Sequence, residues 1–221
     1  ARPGLSYYTS VLASACSRYK KWAFQLAQKI LRFLVATANQ GILITKKGDL
    51  NDLVAWTDAG FAGTDTKSQS GLVIVWGDSI IVWRSSRQTV SALSTAEAEL
   101  NAAATGWQIV EGLRLLIAEL GYDLKAVTLL VDNKAALTVA ECGAQWRTRY
   151  FGVRAARLHE QHVQGRVFLA HCPTKEMVAD AMTKMATAEV ISVLHKAMSQ
   201  GRMPPYPTST SPGRQNSSDE A

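Results

Sequence analysis

Strand-length apolar runs alternate with helix-length segments along most of this chain, and that alternation limits the folds open to it. Val127–Val131 is mostly apolar and β-branched, which favours a buried, parallel strand. The other strand candidates are Leu53–Asp58, Gly71–Trp76, Ile80–Ser85 and Val167–His171, with Gly77-Asp78-Ser79 as a hairpin loop. This order of elements predicts an α/β domain with a mixed sheet.

Helical patterns account for most of the remaining residues. A long helix is predicted from Ser94 to about Leu120, with Gly121 as its C-terminal stop. The other helical segments are 7–37, Asn133–Cys142, Trp146–Gln164 and about Lys175 to Ser199, the last capped by Thr174. We therefore expect a helical segment over 1–46, an α/β domain over 47–200 and a disordered, Pro- and Ser-rich tail over 201–221.

Composition narrows the class of protein. The 221 residues are 47% hydrophobic, which is enough for one domain with appendages, and the net charge of +6 suits a polyanionic partner. Cys16, Cys142 and Cys172 match neither a disulfide framework nor a zinc pattern, which favours a reducing compartment. No apolar run approaches the roughly 18 residues that span a bilayer, and no signal peptide is visible. The start at Ala1 rather than Met suggests a fragment or a processed product.

Two aspartates follow predicted strands directly. Asp58 ends the first strand and precedes the small pair Ala59-Gly60, while Asp132 follows Val131. Ligand sites in open α/β sheets favour such strand ends. Structural roles remain open for both: Asp58 suits a turn, and Asp132 suits the N-cap of the helix that starts at Asn133.

Helix geometry distinguishes Glu97 from Glu99 as a candidate ligand. Ser94 and Glu97 have the spacing of a capping box, so Glu97 has a sufficient structural role. Residues two apart on a helix point about 200° from each other. Glu97 is therefore expected on a solvent face with Asn101, and Glu99 on the sheet-facing side with Ala103. A buried carboxyl group needs a cation or a donor, so Glu99 is the better candidate ligand.

Asp180 completes the set of candidate acids. It lies between the small residues Ala179 and Ala181, which allow another element to approach closely. Two structural alternatives remain: interaction with the helix dipole, or an ion pair with Lys184 at i+4.

Five motifs in order resemble the ribonuclease H domain of copia-type LTR retrotransposon polyproteins, over roughly residues 50–185. They are Thr57–Gly63, Lys67–Gly71, Ser94–Leu100, Val131–Ala136 and Val178–Lys184. The resemblance implies a ribonuclease H-like fold, a five-stranded mixed sheet flanked by helices and preceded by a helical N-terminal segment. Residues 2–45 resemble the region that joins the reverse transcriptase to this domain. No Tyr-x-Asp-Asp polymerase motif is present, so the polymerase active site would lie upstream.

The resemblance also implies an activity. It is Mg²⁺-dependent endonucleolytic hydrolysis of the RNA strand of RNA–DNA hybrids during reverse transcription, at an intracellular site such as a cytoplasmic virus-like particle or the nucleus. Asp58, Glu99, Asp132 and Asp180 would be catalytic and would hold two Mg²⁺ ions roughly 4 Å apart, with Mn²⁺ as an alternative. The implied partners are the hybrid and an upstream reverse transcriptase domain, with no membrane.

Further residues have weaker roles by resemblance. His171 would assist proton transfer or product release, as a loop histidine does in related ribonucleases, or it is simply a strand residue. Candidate hybrid contacts are Asn133, Lys134, Arg147, Arg149, Arg154 and Arg157, although the arginines also fit a solvated helix face.

One element departs from the family pattern. The family usually shows an Arg-Thr-Lys-His-Ile-Asp-like stretch, whereas this chain has Tyr150 and Gly152 at the His and Asp positions. That change and the fragmentary start leave a second hypothesis open, a catalytically silent module that keeps the fold and binds nucleic acid or supports the polymerase. A recombinase-type relative is disfavoured because its acidic set usually ends in Glu rather than Asp180. His159-Glu160-Gln161-His162 is one residue short of a zinc-protease motif and is rejected.

Overall fold

A single mixed sheet forms the centre of the molecule. The computed structural model describes residues 2–16, 20–45, 48–62, 67–124, 127–143, 152–201 and 203–207. Within them the strands are β1 (Leu53–Gly60), β2 (Gln69–Trp76), β3 (Ser79–Arg87), β4 (Val127–Val131) and β5 (Val167–His171). Their order is β3-β2-β1-β4-β5. β1 pairs antiparallel with β2 and parallel with β4, and β5 is parallel to β4. The predicted five-stranded mixed sheet is confirmed.

Helices cover both faces of the sheet. They are α1 (Ser6–Ala15), α2 (Lys21–Ala36), α3 (Thr95–Glu119), α4 (Lys134–Cys142), α5 (Gly152–Val163) and α6 (Ala188–Gln200). Short 3₁₀ turns occupy Pro3–Leu5, Thr174–Glu176 and Val178–Met182. The long helix is confirmed, since Ser94 caps α3 and Gly121, at φ +86°, follows its end. Among the described residues, no helix is both long and apolar enough to cross a membrane.

Strand alternation divides the apolar side chains between two cores. Leu53 and Ala55 of β1 face α3, α4 and α5, whereas Val54 and Trp56 face the Val178–Met182 turn and α6. The β2–β3 hairpin is tighter than predicted, because Ser79 already belongs to β3. Its two loop residues, Gly77 and Asp78, both have positive φ, as a type I′ turn requires.

Two helix predictions were wrong. The segment 7–37 contains two helices rather than one, with residues 17–19 between them outside the described part of the chain. The helix predicted from about Lys175 to Ser199 begins only at Ala188, and Thr187 rather than Thr174 caps it. The reason is burial: every residue of Val178–Met182 is buried, so this segment packs as a compact turn between the sheet and α6.

The start of the expected tail is packed. Met203 and Tyr206 contact the core on the α6 side, and the Tyr206 ring meets Trp56 edge-to-face at 5.5 Å. These two side chains therefore depart from the disordered tail that was expected from residue 201 onward. Residues 208–221 lie outside the described residues, as does the 144–151 part of the predicted basic helix.

Candidate metal centre

Three aspartates converge at one edge of the sheet. Asp58 and Asp132 lie on neighbouring parallel strand ends, because Thr57 pairs with Val131 in the β1–β4 register. Asp180 lies in the Val178–Met182 turn, which packs against β1 and β2. One carboxylate oxygen from each aspartate lies within 4.8 Å of the other two. Oxygen ligands at such spacing can share a divalent cation.

Glycines allow the turn to approach the sheet. A Cβ atom on Gly71 of β2 would lie 2.6 Å from the Ala179 carbonyl oxygen and 2.8 Å from the Met182 Cβ. A Cβ atom on Gly60 would lie 2.8 Å from the Thr183 carbonyl oxygen. Contacts this short are repulsive. The turn that carries Asp180 can therefore lie this close to the sheet only because Gly60 and Gly71 have no side chain.

Glu99 lies beside the aspartates on the sheet-facing side of α3, as helix geometry predicted. It is 6% exposed, and its Oε2 has no hydrogen-bond partner among the described residues. Burial raises the pKa of Glu99 to about 10, and the neighbouring charges of Asp58 and Asp132 add to the rise. A buried carboxyl group with an unpartnered oxygen next to other carboxylates fits a cation site. We call Asp58, Glu99, Asp132 and Asp180 the acidic cluster.

Glu97 has the capping role but not the solvent exposure that was predicted. Its backbone N–H donates to Ser94 Oγ at 3.1 Å, and its own Oε2 accepts from the Leu93 N–H at 2.7 Å. Glu97 is nevertheless 9% exposed and Asn101 only 3%. The chain before α3 covers this side of the helix, since Gln88 accepts a hydrogen bond from Asn101. The predicted solvent face was wrong here.

The structural alternatives for Asp58 and Asp132 do not hold. Asn133, not Asp132, caps α4, since its Oδ1 accepts from the Ala136 N–H at 3.0 Å. Asp58 is a buried residue of β1, not a turn residue, and it accepts a hydrogen bond from the Thr183 hydroxyl. Burial and then the charge of Asp180 raise the pKa of Asp132. Sequence reasoning did not single out Thr183, and its only signal was its position in the Val178–Lys184 motif.

Asp180 does form the ion pair that was left open. Lys184 Nζ lies 2.8 Å from Asp180 Oδ1, with the lysine side chain 52% exposed and the aspartate 6%. Burial raises the pKa of Asp180 to about 6; the hydrogen bond from Lys184 opposes the rise and the Asp58 charge supports it. The ion pair does not exclude a metal role, because Lys184 is exposed enough to move.

His171 is a strand residue. It ends β5 opposite Val131, and its Nε2 lies 3.1 Å from the Asp132 carbonyl oxygen. This is the strand position predicted for Val167–His171, the alternative that was left open for His171, and it lies beside the acidic cluster.

The candidate hybrid contacts are dispersed. Lys134 is exposed at the first turn of α4, beside the capping residue Asn133. Arg154 is half-buried on α5, and Arg157 is exposed and paired with Glu160 at 3.1 Å. Arg147 and Arg149 lie outside the described residues.

The chain is similar in sequence to known transposon polyproteins. No family model matches it. The Gag-Pol polyproteins of the Saccharomyces cerevisiae transposons Ty1-JR2 and Ty1-MR1 are each 27% identical to it over 198 residues, 86% of this chain. The resemblance to an LTR-retrotransposon polyprotein is confirmed. The chain spans 11% of the length of these relatives.

Solved ribonucleases H overlap the chain partially. The RNase H1 of the archaeon Halobacterium salinarum has a TM-score of 0.44 at 20% identity, covering 60% of this chain and 94% of its own. LC11-RNase H1, isolated from compost, has a TM-score of 0.48 at 16% identity, covering 60% and 93%. A second LC11 structure, in complex with an RNA/DNA hybrid, has a TM-score of 0.46 at 16% identity, covering 59% and 93%. The ribonuclease H-like fold is supported by the order and directions of the five strands and does not depend on these overlaps.

Proposed function

We propose that this chain is a Mg²⁺-dependent endonuclease that hydrolyses the RNA strand of RNA–DNA hybrids, as part of a copia-type Pol polyprotein. The observation that carries the proposal is the convergence of Asp58, Asp132 and Asp180 within 4.8 Å, beside a buried Glu99 oxygen that has no hydrogen-bond partner in the described part of the chain. The similarity to Ty1 Gag-Pol polyproteins supports the reverse-transcription context, with an upstream reverse transcriptase domain as partner. The nuclease domain would span 47–200.

The acidic cluster would hold the ions. Bound Mg²⁺ supplies activation of the attacking water and stabilisation of the leaving 3′ oxygen. In the protein, Thr183 donates to Asp58 and fixes the orientation of that carboxylate. The Asp132 carbonyl oxygen contacts His171, which positions the end of β4. In the metal-free protein Glu99 holds a proton at neutral pH, since its pKa is raised to about 10, and its carboxyl group would be a further ligand for a bound ion.

The net charge of the chain suits a polyanion. The net charge is +6, and Lys134, Arg154 and Arg157 are the described candidates for phosphate contacts. Hybrid selection would depend on A-like shape and 2′-hydroxyl contacts rather than on sequence.

The test is cleavage of a hybrid with a different label on each strand, in Mg²⁺ and in EDTA. We expect shortening of the RNA strand alone, in Mg²⁺ alone. Asp132→Asn should lower the cleavage rate more than about 100-fold. Substitution of residues that only hydrogen-bond to a metal ligand already lowers metal affinity or activity about 10–100-fold. Asp123→Asn, at an exposed acid away from the cluster, is the matched control and should keep the wild-type rate. A folded wild type that binds the hybrid without cutting it would instead support the catalytically silent module.

A further inference from the structure

A groove adjoins the acidic cluster, and helix α1 forms one of its walls. Its volume is about 550 Å³. Tyr7, Ser10 and Ser14 line it from α1, while Glu99 and Thr183 line it from the side of the acidic cluster. The groove is therefore continuous with the acidic cluster, although α1 belongs to the segment before the expected nuclease domain. We call it the α1 groove.

The lining of the α1 groove suits phosphate groups. Among the described residues, its lining includes the cationic side chains of Lys67, Arg87 and Lys184, the last paired with Asp180, and one carboxyl group, that of Glu99. Hydroxyl groups come from Tyr7, Ser10, Ser14, Thr95 and Thr183. Helix α1 has no acidic residue that would repel a polyanion.

Hydrogen bonds hold α1 against the sheet. Gln69 Nε2 donates to Ser10 Oγ at 2.9 Å and to Ser85 Oγ at 2.8 Å, which joins α1 to β2 and β3. The Arg2 guanidinium, just before α1, donates to the Thr37 carbonyl oxygen at 2.5 Å, at the end of α2. A wall held against the sheet by Gln69 loses little freedom when a ligand binds, which favours binding.

We propose that the α1 groove binds the sugar–phosphate backbone of one strand of the hybrid, so that the segment before the nuclease domain contributes directly to substrate binding. Its volume lies within the range of small-ligand sites and is too small for a whole duplex. The inference rests on the proposed function for the identity of the nucleic acid. The existence of the groove does not depend on that function, because the contacts of α1 with the sheet form it.

The test measures binding of a fluorescent RNA–DNA hybrid by anisotropy, with the full chain carrying Asp132→Asn to prevent turnover. Ser14 is exposed and lines the groove, whereas its exposed neighbour Ala13 does not. Ser14→Glu should weaken binding about five-fold, the effect of one charge pair at close range in water. Ser14→Lys should tighten it similarly and steepen the dependence of log Kd on log salt by about 0.7–0.9. Ala13→Glu and Ala13→Lys are the matched controls and should change Kd by less than about two-fold.

Circular dichroism identifies any variant that fails to fold, and the two opposite charges at Ser14 keep the test decisive if one of them does. Equal effects at Ala13 and Ser14, or no effect at either, would overturn the α1 groove. If the wild type cleaves the RNA strand but the Ser14 substitutions do not change hybrid binding, the α1 groove proposal is overturned and the nuclease proposal stands. Binding that responds to Ser14 in a chain that never cuts RNA supports the groove and overturns the nuclease.

Discussion

Glu99→Gln should stabilise the metal-free protein at neutral pH. The pKa of Glu99 is about 10 in the folded chain against an ordinary value of 4.5. At pH 7 the folded chain therefore binds a proton that the unfolded chain has released, which opposes folding. About 2.5 pH units separate 4.5 from neutrality, and each is worth about 1.36 kcal/mol, so the cost is on the order of 3 kcal/mol. Glu99 is 6% exposed, so solvent screens little of it.

The sign of the pH dependence follows from the direction of the shift. A raised folded-state pKa means that the favourable contribution is complete below 4.5 and is lost as the pH rises toward 10. Glutamine matches the protonated form and cannot ionise. The free energy of unfolding of Glu99→Gln should therefore exceed that of the wild type by about 3 kcal/mol at pH 7 and by almost nothing at pH 4.5.

Urea unfolding in EDTA at pH 4.5 and pH 7 measures this difference. Glu119→Gln, at an exposed glutamate of α3, is the control and should match the wild type at both pH values. Added Mg²⁺ should stabilise the wild type more than Glu99→Gln, since the amide is a poorer ligand. The reasoning is refuted if Glu99→Gln is no more stable than the wild type at pH 7, or if its advantage does not shrink in acid.

Three further predictions concern the same centre. Gly71→Ala should lower the free energy of unfolding by about 1–3 kcal/mol in urea and slow cleavage, because the new Cβ meets the Ala179 carbonyl oxygen at 2.6 Å; unchanged values would contradict it. Thr183→Val should cost about 1–3 kcal/mol by thermal unfolding, with Thr183→Ser restoring most of it, since the hydroxyl donates to buried Asp58. Mg²⁺ affinity measured by calorimetry should fall as the pH drops from 8 to 6, because the raised pKa values of Glu99 and Asp180 make protons compete; a flat profile would exclude this.

Local patterns nominated three members of the acidic cluster, although structural roles for Asp58 and Asp132 remained open. Asp58 and Asp132 each follow an apolar run, and parallel strands bring such ends together. Glu99 was separated from Glu97 by the capping-box spacing of Ser94 and Glu97 together with the 3.6-residue repeat of α3. These inferences need only the sequence near each residue.

Features that depend on long-range packing were missed. The whole Val178–Met182 segment is buried, so a turn replaced the predicted helix, and nothing local marks it. Glu97 is covered by the chain before α3, which no helical repeat reveals. The hydrogen bond from Thr183 to Asp58 joins residues 125 positions apart, and Ser10 meets Gln69 across 59 positions. Such contacts are set by the tertiary fold.

The central claim is that four carboxyl groups form one divalent-metal centre, and anomalous diffraction from Mn²⁺-soaked crystals tests it most directly. The account predicts peaks among Asp58, Asp132 and Asp180, with Glu99 within ligand distance and Lys184 displaced from Asp180. Peaks confined to other sites, or none at Mn²⁺ concentrations that support cleavage, would contradict it.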